Sequence, residues 1–260
     1  MKNLVVATVL CVGAFGAGIA SAAPLSGTFE INGGSGNPAR VGATWLDFSP
    51  FNYPTPGTGA FVTTGGTGSF NFASPVTGTI GDLFGLGVGP VVVPNWLEFA
   101  GHSEGDPADW DFTITNIRPG VGTFPCDSTI STPEIPCTPP GSPFTLTNIR
   151  EAGGGFQAAT TVSMTVTGFV LNAASERSIF SLTFTSQLDN LSALGAFNAV
   201  IPDDEMNFVQ SSWSAEGTVV PQGGVNPQNP VPEPASLVMM GFAMSGVAVA
   251  IRRRKSGQVK

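Results

Sequence analysis

The stretch TTVSMTVTGFVL, Thr160–Leu171, alternates between apolar and polar side chains. In an extended strand Val162, Met164 and Val166 lie on one face, and the threonines and the serine between them lie on the other. Such alternation is typical of an antiparallel sheet with one face in the core and one face in water. The stretch SIFSLTFTS, residues 178–186, has the same pattern. The two stretches therefore predict two strands of such a sheet.

The rest of the central chain consists of short alternating runs between clusters of Gly, Pro, Asn and Ser, which predicts an all-β fold. Further strands are expected at residues 27–31, 41–48, 69–72, 96–99 and 208–219. One helical exception is QLDNLSALGAF, residues 187–197, in which leucines recur at every third position. We predict an antiparallel β-sandwich or jelly-roll-like domain with this short helix packed across its end.

The N-terminal residues have the features of a secretory signal peptide. Lys2 gives a positive start, residues 4–19 are mostly apolar, and Ala20-Ser21-Ala22 offers small residues at a cleavage site. We expect cleavage after Ala22, with an uncleaved membrane anchor as the alternative. A domain at residues 23–220 and a Pro-, Gly- and Asn-rich linker at 221–230 follow, and the length suffices for one buried core.

A second apolar segment, residues 237–251, carries no charge and is followed directly by Arg252, Arg253, Arg254 and Lys255. As a helix it spans roughly 22 Å at about 1.5 Å per residue. That is short for a hydrocarbon core of about 30 Å, so a buried helix of a soluble protein is the alternative. Because clustered cations stay on the cytoplasmic side of a membrane, we predict a transmembrane helix with residues 256–260 as its cytoplasmic tail.

Pro232, Glu233 and Pro234 precede this apolar segment and its cations. The order and spacing over residues 231–255 resemble the PEP-CTERM sorting signal of Gram-negative bacteria. The resemblance implies two partners, the lipid bilayer and an exosortase-like membrane protease that recognises the tripeptide and processes the tail. It also implies an association with exopolysaccharide and biofilm production. This type of tail is also classified as an ice-binding protein C-terminal domain, because some proteins that carry it bind ice.

The charge between the two signals is strongly acidic. From residue 23 to residue 231, four arginines and no lysine stand against seventeen carboxylates, a formal charge of −13. Such a surface repels phosphate backbones, so we expect no nucleic-acid binding. The charge suits either solubility or the binding of divalent cations.

Cys126 and Cys137 are the cysteines of the exported part, and in an oxidising compartment we expect them to form a disulfide. They lie between two similar segments, FTITNIR at 112–118 and FTLTNIR at 144–150. We expect these segments to be neighbouring strands, with the disulfide closing the excursion that joins them. Convergence of β-prone residues is the alternative to an internal duplication.

The segment GHSEG, residues 101–105, fits the G-x-S-x-G motif of α/β-hydrolases. We do not expect a hydrolase, because no helical pattern follows and the single histidine of the chain lies inside the motif. Nearby, Glu104, Asp106, Asp109 and Asp111 are candidate ligands for Ca²⁺, which prefers oxygen atoms. No known calcium-loop spacing is present, and a solvated acidic loop is the competing interpretation.

Tryptophan and threonine raise two further hypotheses. Trp45, Trp96, Trp110 and Trp213 could stack on sugars, although a tryptophan in a strand usually belongs to the core. The threonines of the alternating strands could form an ice-binding surface, but no solenoid period accompanies them.

Taken together, these features predict a non-enzymatic exported protein of the cell envelope or extracellular matrix, without a cofactor. Its precursor is tethered to the inner membrane, and its mature domain is periplasmic, on the cell surface or extracellular. The alternatives are a secreted carbohydrate-binding or carbohydrate-cleaving module, a calcium-dependent adhesin and an ice-binding protein.

Overall fold

The structure, a computed structural model, describes residues 23–85, 87–100, 110–126, 135–149, 159–201 and 206–222. The strands are β1 (Gly27–Asn32), β2 (Ala39–Val41), β3 (Leu46–Phe48), β4 (Thr58–Gly66), β5 (Thr77–Gly81), β6 (Gly89–Phe99), β7 (Asp111–Ile117), β8 (Pro136–Cys137), β9 (Thr145–Ile149), β10 (Ala159–Leu171), β11 (Arg177–Asp189), β12 (Val209–Ser211) and β13 (Trp213–Pro221). The described residues contain one α-helix, α1 (Ala193–Ala199), and a 3₁₀ turn at Gly68–Phe70. Residues Ala23–Gln222 form one compact unit.

The two long strands predicted from alternation are confirmed. β10 and β11 pair antiparallel over their whole length, from Ala159 opposite Asp189 to Leu171 opposite Arg177. Every second side chain of each strand is buried, and the side chains between them reach the surface. This hairpin is therefore the longest element of the fold, with one face in the core and one in water.

The sheet closes on itself, so the predicted sandwich or jelly roll is wrong in its finer architecture. Eight strands form a closed barrel in the order β11-β13-β1-β4-β5-β6-β7-β10, and β10 then pairs with β11 again. The strands alternate in the same way whether a sheet stays open or closes, because alternation reports only which face is buried. Closure depends on β11 pairing with β10 on one edge and with β13 on the other.

Phenylalanine rings fill the barrel, and glycines make room for them. Three inward-facing phenylalanines stand directly opposite a glycine on the neighbouring strand; the pairs are Phe29 with Gly217, Phe61 with Gly78, and Phe180 with Gly168. A Cβ at each of these glycines would overlap the partner ring. Small barrels commonly fill their interior by alternating small and large residues in this way. Glycine usually weakens a strand, but these three glycines leave the space that the phenylalanine rings occupy.

The two similar segments lie in line along one edge of β10. β7 pairs with residues 166–171 of β10, and β9 pairs with residues 159–163, both antiparallel. The other edge of β10 is occupied by β11. The prediction that the two segments form neighbouring strands is therefore wrong, because both pair with the same edge of β10. The prediction of a disulfide is confirmed: Cys126 and Cys137 are bonded and close part of the excursion between β7 and β9.

Several other boundaries differ from the predicted ones. The strand expected at 41–48 is a hairpin of β2 and β3 around a turn, and the strand expected at 69–72 begins as the 3₁₀ turn. The strand expected at 208–219 is divided into β12 and β13. The predicted helix at 187–197 starts later, because its first residues continue β11 and Ser192 caps α1.

A small sheet of β12, β2 and β3 packs against the barrel near the start of β13. Phe48 of β3 lies 4.9 Å from Trp213 and 6.0 Å from Phe184, measured between ring centroids. The small sheet and the barrel therefore share one hydrophobic core.

Candidate functional site

An apolar pocket of about 280 Å³ lies between the small sheet, α1 and the segment that leads into β9. Apolar side chains from five elements form most of its wall; they are Val41, Leu146, Val162, Ala196, Phe197, Val200 and Val209. Ile201, which is 47% exposed, lies at the mouth. The pocket can therefore take an apolar group out of water.

Helix α1 forms one wall and is fixed by buried polar side chains. The Asn148 amide oxygen accepts the backbone N–H of Ala193 at 2.7 Å, and the Thr160 hydroxyl donates to the carbonyl of Leu191 at 2.7 Å. Ser192 caps the helix, since its hydroxyl accepts the N–H of Gly195 at 3.1 Å. Such caps satisfy backbone groups that a short helix leaves unpaired. The wall is thus held by bonds from two strands.

Another part of the wall is a turn at residues 139–142. The N–H of Ser142 donates to the carbonyl of Pro139 at 3.0 Å, and Gly141 has a φ of +75°, which favours glycine. The disulfide anchors the chain just before this turn. Next to the pocket, the ring of Phe197 in α1 lies 5.8 Å from the ring of Phe124. Phe124 is 48% exposed, so the apolar surface continues outside the pocket.

No charged side chain lines the pocket among the residues that the structure describes. Arg40 is the neighbour of Val41 in β2, but successive side chains of a strand point to opposite faces. Its guanidinium carbon lies 3.8 Å from the centre of the Phe51 ring and 4.4 Å from that of Phe208. Its Nε also donates to the amide oxygen of Gln210 at 3.3 Å. This cation is therefore engaged on the far face of the small sheet.

A second candidate is a pair of buried carboxylates, Asp47 and Asp82. Both oxygens of Asp82 accept backbone N–H groups, from Phe48 at 2.8 Å and from Gly57 at 2.7 Å. The oxygens of Asp47 accept the N–H groups of residues 52 and 53, each at 3.3 Å. These bonds fasten the loop at 49–57 to β3 and to the segment after β5. The geometry thus gives the pair a structural role.

Burial raises the pKa of Asp82 from 3.8 to about 6, although its two backbone donors lower it. The negative charge of Asp47 adds to the rise. Burial also raises the pKa of Asp47, against the lowering effect of its own donors and of Arg40. The stability of this loop therefore depends on pH.

The four tryptophans lie in the core: Trp96 and Trp213 are in β6 and β13, and Trp45 and Trp110 directly precede β3 and β7. Trp45 and Trp96 are each 1% exposed, Trp213 is 4% exposed and Trp110 is 7% exposed. None of the four offers an exposed ring on which a sugar could stack. Thr160 of β10 is buried, whereas Thr161, Thr165 and Thr167 of β10 and Thr183 and Thr185 of β11 are partly exposed; the hydroxyls of Thr165 and Thr183 are 3.1 Å apart.

Most of the other predicted site residues lie outside the described residues. This holds for Glu104, Asp106 and Asp109, for the GHSEG segment and for residues 223–260 with the sorting signal and its cations. Asp111 is the first residue of β7, where its carboxylate accepts the hydroxyl of Thr113 at 3.3 Å. Within the described part of the chain, no group of three acidic, histidine or cysteine side chains could hold a metal ion.

Sequence reasoning missed the pocket, because its walls come from segments scattered between residues 41 and 209. Each of these residues fits the alternation of its own strand or helix and carries no separate signal. The turn at 139–142 was visible only as a run of loop-forming residues.

Comparison with known families gives one match. The family model of the PEP-CTERM protein-sorting motif matches residues 230–255. The resemblance inferred from Pro232, Glu233 and Pro234 is thereby confirmed, and the chain carries the sorting motif of an exosortase substrate. No curated protein and no solved structure matches the chain. Among the described residues, no helix has the length and apolar character needed to cross a membrane, and the predicted transmembrane segment 237–251 lies outside them.

Proposed function

We propose that the barrel is the exported passenger of an exosortase sorting system and acts as a non-enzymatic binding or structural protein of the cell envelope or extracellular matrix. The observation that carries this proposal is the PEP-CTERM motif at residues 230–255. Such a motif indicates an exported, membrane-anchored precursor that an exosortase processes. The barrel is then the part that remains to act outside the cytoplasm.

The positions of the barrel's own first and last residues support this role. The carbonyl of Ala23 accepts the side-chain amide of Asn172 at 3.2 Å, and the N–H of Gln222 donates to the carbonyl of Arg177 at 3.2 Å. Both contacts lie at the turn between β10 and β11. The chain therefore enters and leaves the barrel at the same end.

The pocket lies toward the other end of the same hairpin. Val162 in its wall is nine residues from Leu171 at the turn, or about 30 Å at roughly 3.3 Å per residue. The point where the chain leaves the barrel and the pocket therefore lie at different ends of this hairpin.

The bonding of the acidic residues supports a role without catalysis. The buried pair of Asp47 and Asp82 directs all four of its oxygens to backbone N–H groups. A working pair of catalytic carboxylates faces a cleft and its substrate. The disulfide suits an oxidising compartment, as expected of an exported protein.

The first test is Glu233→Ala in a Gram-negative host that contains an exosortase. We expect the full-length chain to accumulate in the membrane fraction, because the recognition tripeptide is broken. The matched control is Glu216→Ala, which removes a carboxylate on the surface of β13 that stands opposite Glu30. The control should be processed like the wild type, and normal release of the Glu233 variant would contradict the proposal.

The second test concerns export itself. A reporter enzyme that is active only in the cytosol, fused after residue 220, should stay inactive. Reporter activity in intact cells would place the barrel on the wrong side of the membrane for this proposal.

A further inference from the structure

The geometry points to a ligand site: the pocket between α1 and the small sheet binds a neutral, apolar molecule about the size of two aromatic rings. This inference goes beyond the export role and stands independently of it. It rests on the volume of the pocket, on the chemistry of its wall and on the charge of the protein around it.

The volume sets the size of the ligand. An apolar protein cavity of about 150 Å³ binds benzene. The pocket here measures about 280 Å³, so it accepts roughly twice as many carbon atoms. A ligand of about ten to thirteen carbons fits this estimate. Because Ile201 at the mouth is half exposed, the site opens to solvent and the ligand can enter.

The wall sets the polarity of the ligand. The polar side chains in it are Thr44 and Ser142, and the Ser142 hydroxyl already accepts the N–H of Phe144 at 3.1 Å. A charged ligand group that entered this wall would lose its hydration and find no charged partner. The pocket therefore favours molecules without charge.

The charge of the barrel excludes anions in particular. The segment from residue 23 to residue 231 has a formal charge of −13. Arg40, the cation nearest in sequence to the wall, is held between Phe51 and Phe208 on the other face of its strand. A carboxylate or sulfonate on the ligand is therefore repelled by the net negative charge and meets no cation among the described residues that line the pocket. Simple fatty acids are poorer ligands than neutral molecules of the same size.

The walls are preformed, which favours binding. α1 is fixed by Asn148 and Thr160, and the chain just before the turn at 139–142 is anchored by the disulfide. A site that needs no rearrangement loses little conformational entropy when it binds. The alternative occupant of an apolar pocket, a side chain from a second copy of this protein, is an outcome of the test below.

The test uses benzophenone, a neutral two-ring photoreactive probe, and its anionic analogue 4-benzoylbenzoate. The full-length chain in a nonionic detergent is irradiated with increasing probe, and adducts are located by peptide mass spectrometry. Labelling elsewhere on the same chain serves as the internal reference for local probe concentration. We expect saturable benzophenone adducts on peptides containing α1 or residues 139–146, and adducts with 4-benzoylbenzoate that are about ten-fold weaker.

Two variants and one matched control localise the binding. Ile201→Glu puts a charge at the mouth, and Ala196→Leu fills the pocket from the wall; each should lower pocket labelling about ten-fold. Ile179→Glu makes the same change at a side chain of equal exposure, 45% against 47%, near the turn end of β11. This control should label like the wild type. Ile201→Glu changes an exposed side chain, so it keeps the test valid if Ala196→Leu fails to fold.

Three results would overturn the inference. The first is labelling of the pocket that does not saturate or that both variants leave unchanged. The second is equal labelling by benzophenone and 4-benzoylbenzoate. The third is pocket labelling that disappears as the wild-type chain dimerises with rising concentration, because a second copy would then be the occupant.

Discussion

Asp82 makes the stability of the barrel depend on pH. Its side chain is 6% exposed, and burial raises its pKa to about 6. A carboxyl group whose pKa is higher in the folded than in the unfolded chain binds its proton more tightly when folded. The contribution of Asp82 to the free energy of unfolding should therefore be fully present below about pH 3.8, fall as the pH rises through about 6, and level off above that value.

The size of the fall follows from the two pKa values. The ordinary value of 3.8 and the folded value of about 6 differ by roughly two pH units. At about 1.36 kcal/mol per unit, ionisation of Asp82 lowers the free energy of unfolding by about 3 kcal/mol. Burial also raises the pKa of Asp47, which acts in the same direction. The effect is large against a typical total stability of about 5–15 kcal/mol.

The assay is urea unfolding at several pH values from about 4 to about 7, followed by the fluorescence of the buried tryptophans. Asp82→Asn removes the titrating group, so the fall with pH should shrink by about 3 kcal/mol. The control, Asp189→Asn, removes the same charge from an exposed position of β11.

The reasoning is refuted by either of two results. One is a wild-type stability that rises between pH 4 and pH 6. The other is an equal fall with pH in the Asp82 and Asp189 variants, which would assign the dependence to the overall negative charge.

Two further predictions concern packing and the disulfide. Gly217→Ala should lower the free energy of unfolding by about 1–3 kcal/mol, because the added methyl group overlaps the Phe29 ring. Gly87→Ala, where no atom of the described residues lies within 4 Å of the added methyl group, should be neutral or stabilising by up to about 1 kcal/mol; equal thermal melts of the two variants would contradict the packing argument. Replacing Cys126 and Cys137 by serine should cost about 3 kcal/mol in urea unfolding, since their bond closes a loop with a sequence separation of 11. Two free thiols in the denatured, unreduced wild type would count against this bond.

Local patterns in the sequence predicted much of the fold. The alternation in residues 160–171 and 178–186 identified β10 and β11, and the same rule located β1 and the end of β6. It failed at residues 69–72, where apolar spacing suited a strand but the chain turns around Phe70. The three-residue spacing of leucines placed the start of the helix too early, inside β11. Leu188 fits this spacing and the two-residue spacing of a strand equally well.

The candidate sites also differ in how much of each the sequence alone predicts. The residues of the sorting motif are contiguous, so their order in the chain is the signal itself. Asp47 and Asp82 are far apart in sequence, and only the fold brings them to the same loop. The pocket wall combines Val41, Leu146 and Val209, each of which is an ordinary apolar residue of its own strand.

The sequence by itself determined which segments are extended, which of their faces is buried, where the sorting motif lies and which cysteines pair. These properties depend on neighbouring residues or on composition. Tertiary structure alone decided that the sheet closes into a barrel, that β7 and β9 share one edge of β10, and that a pocket forms beside α1. Such features depend on which distant strands meet, and alternation constrains the buried face of a strand without choosing its partner.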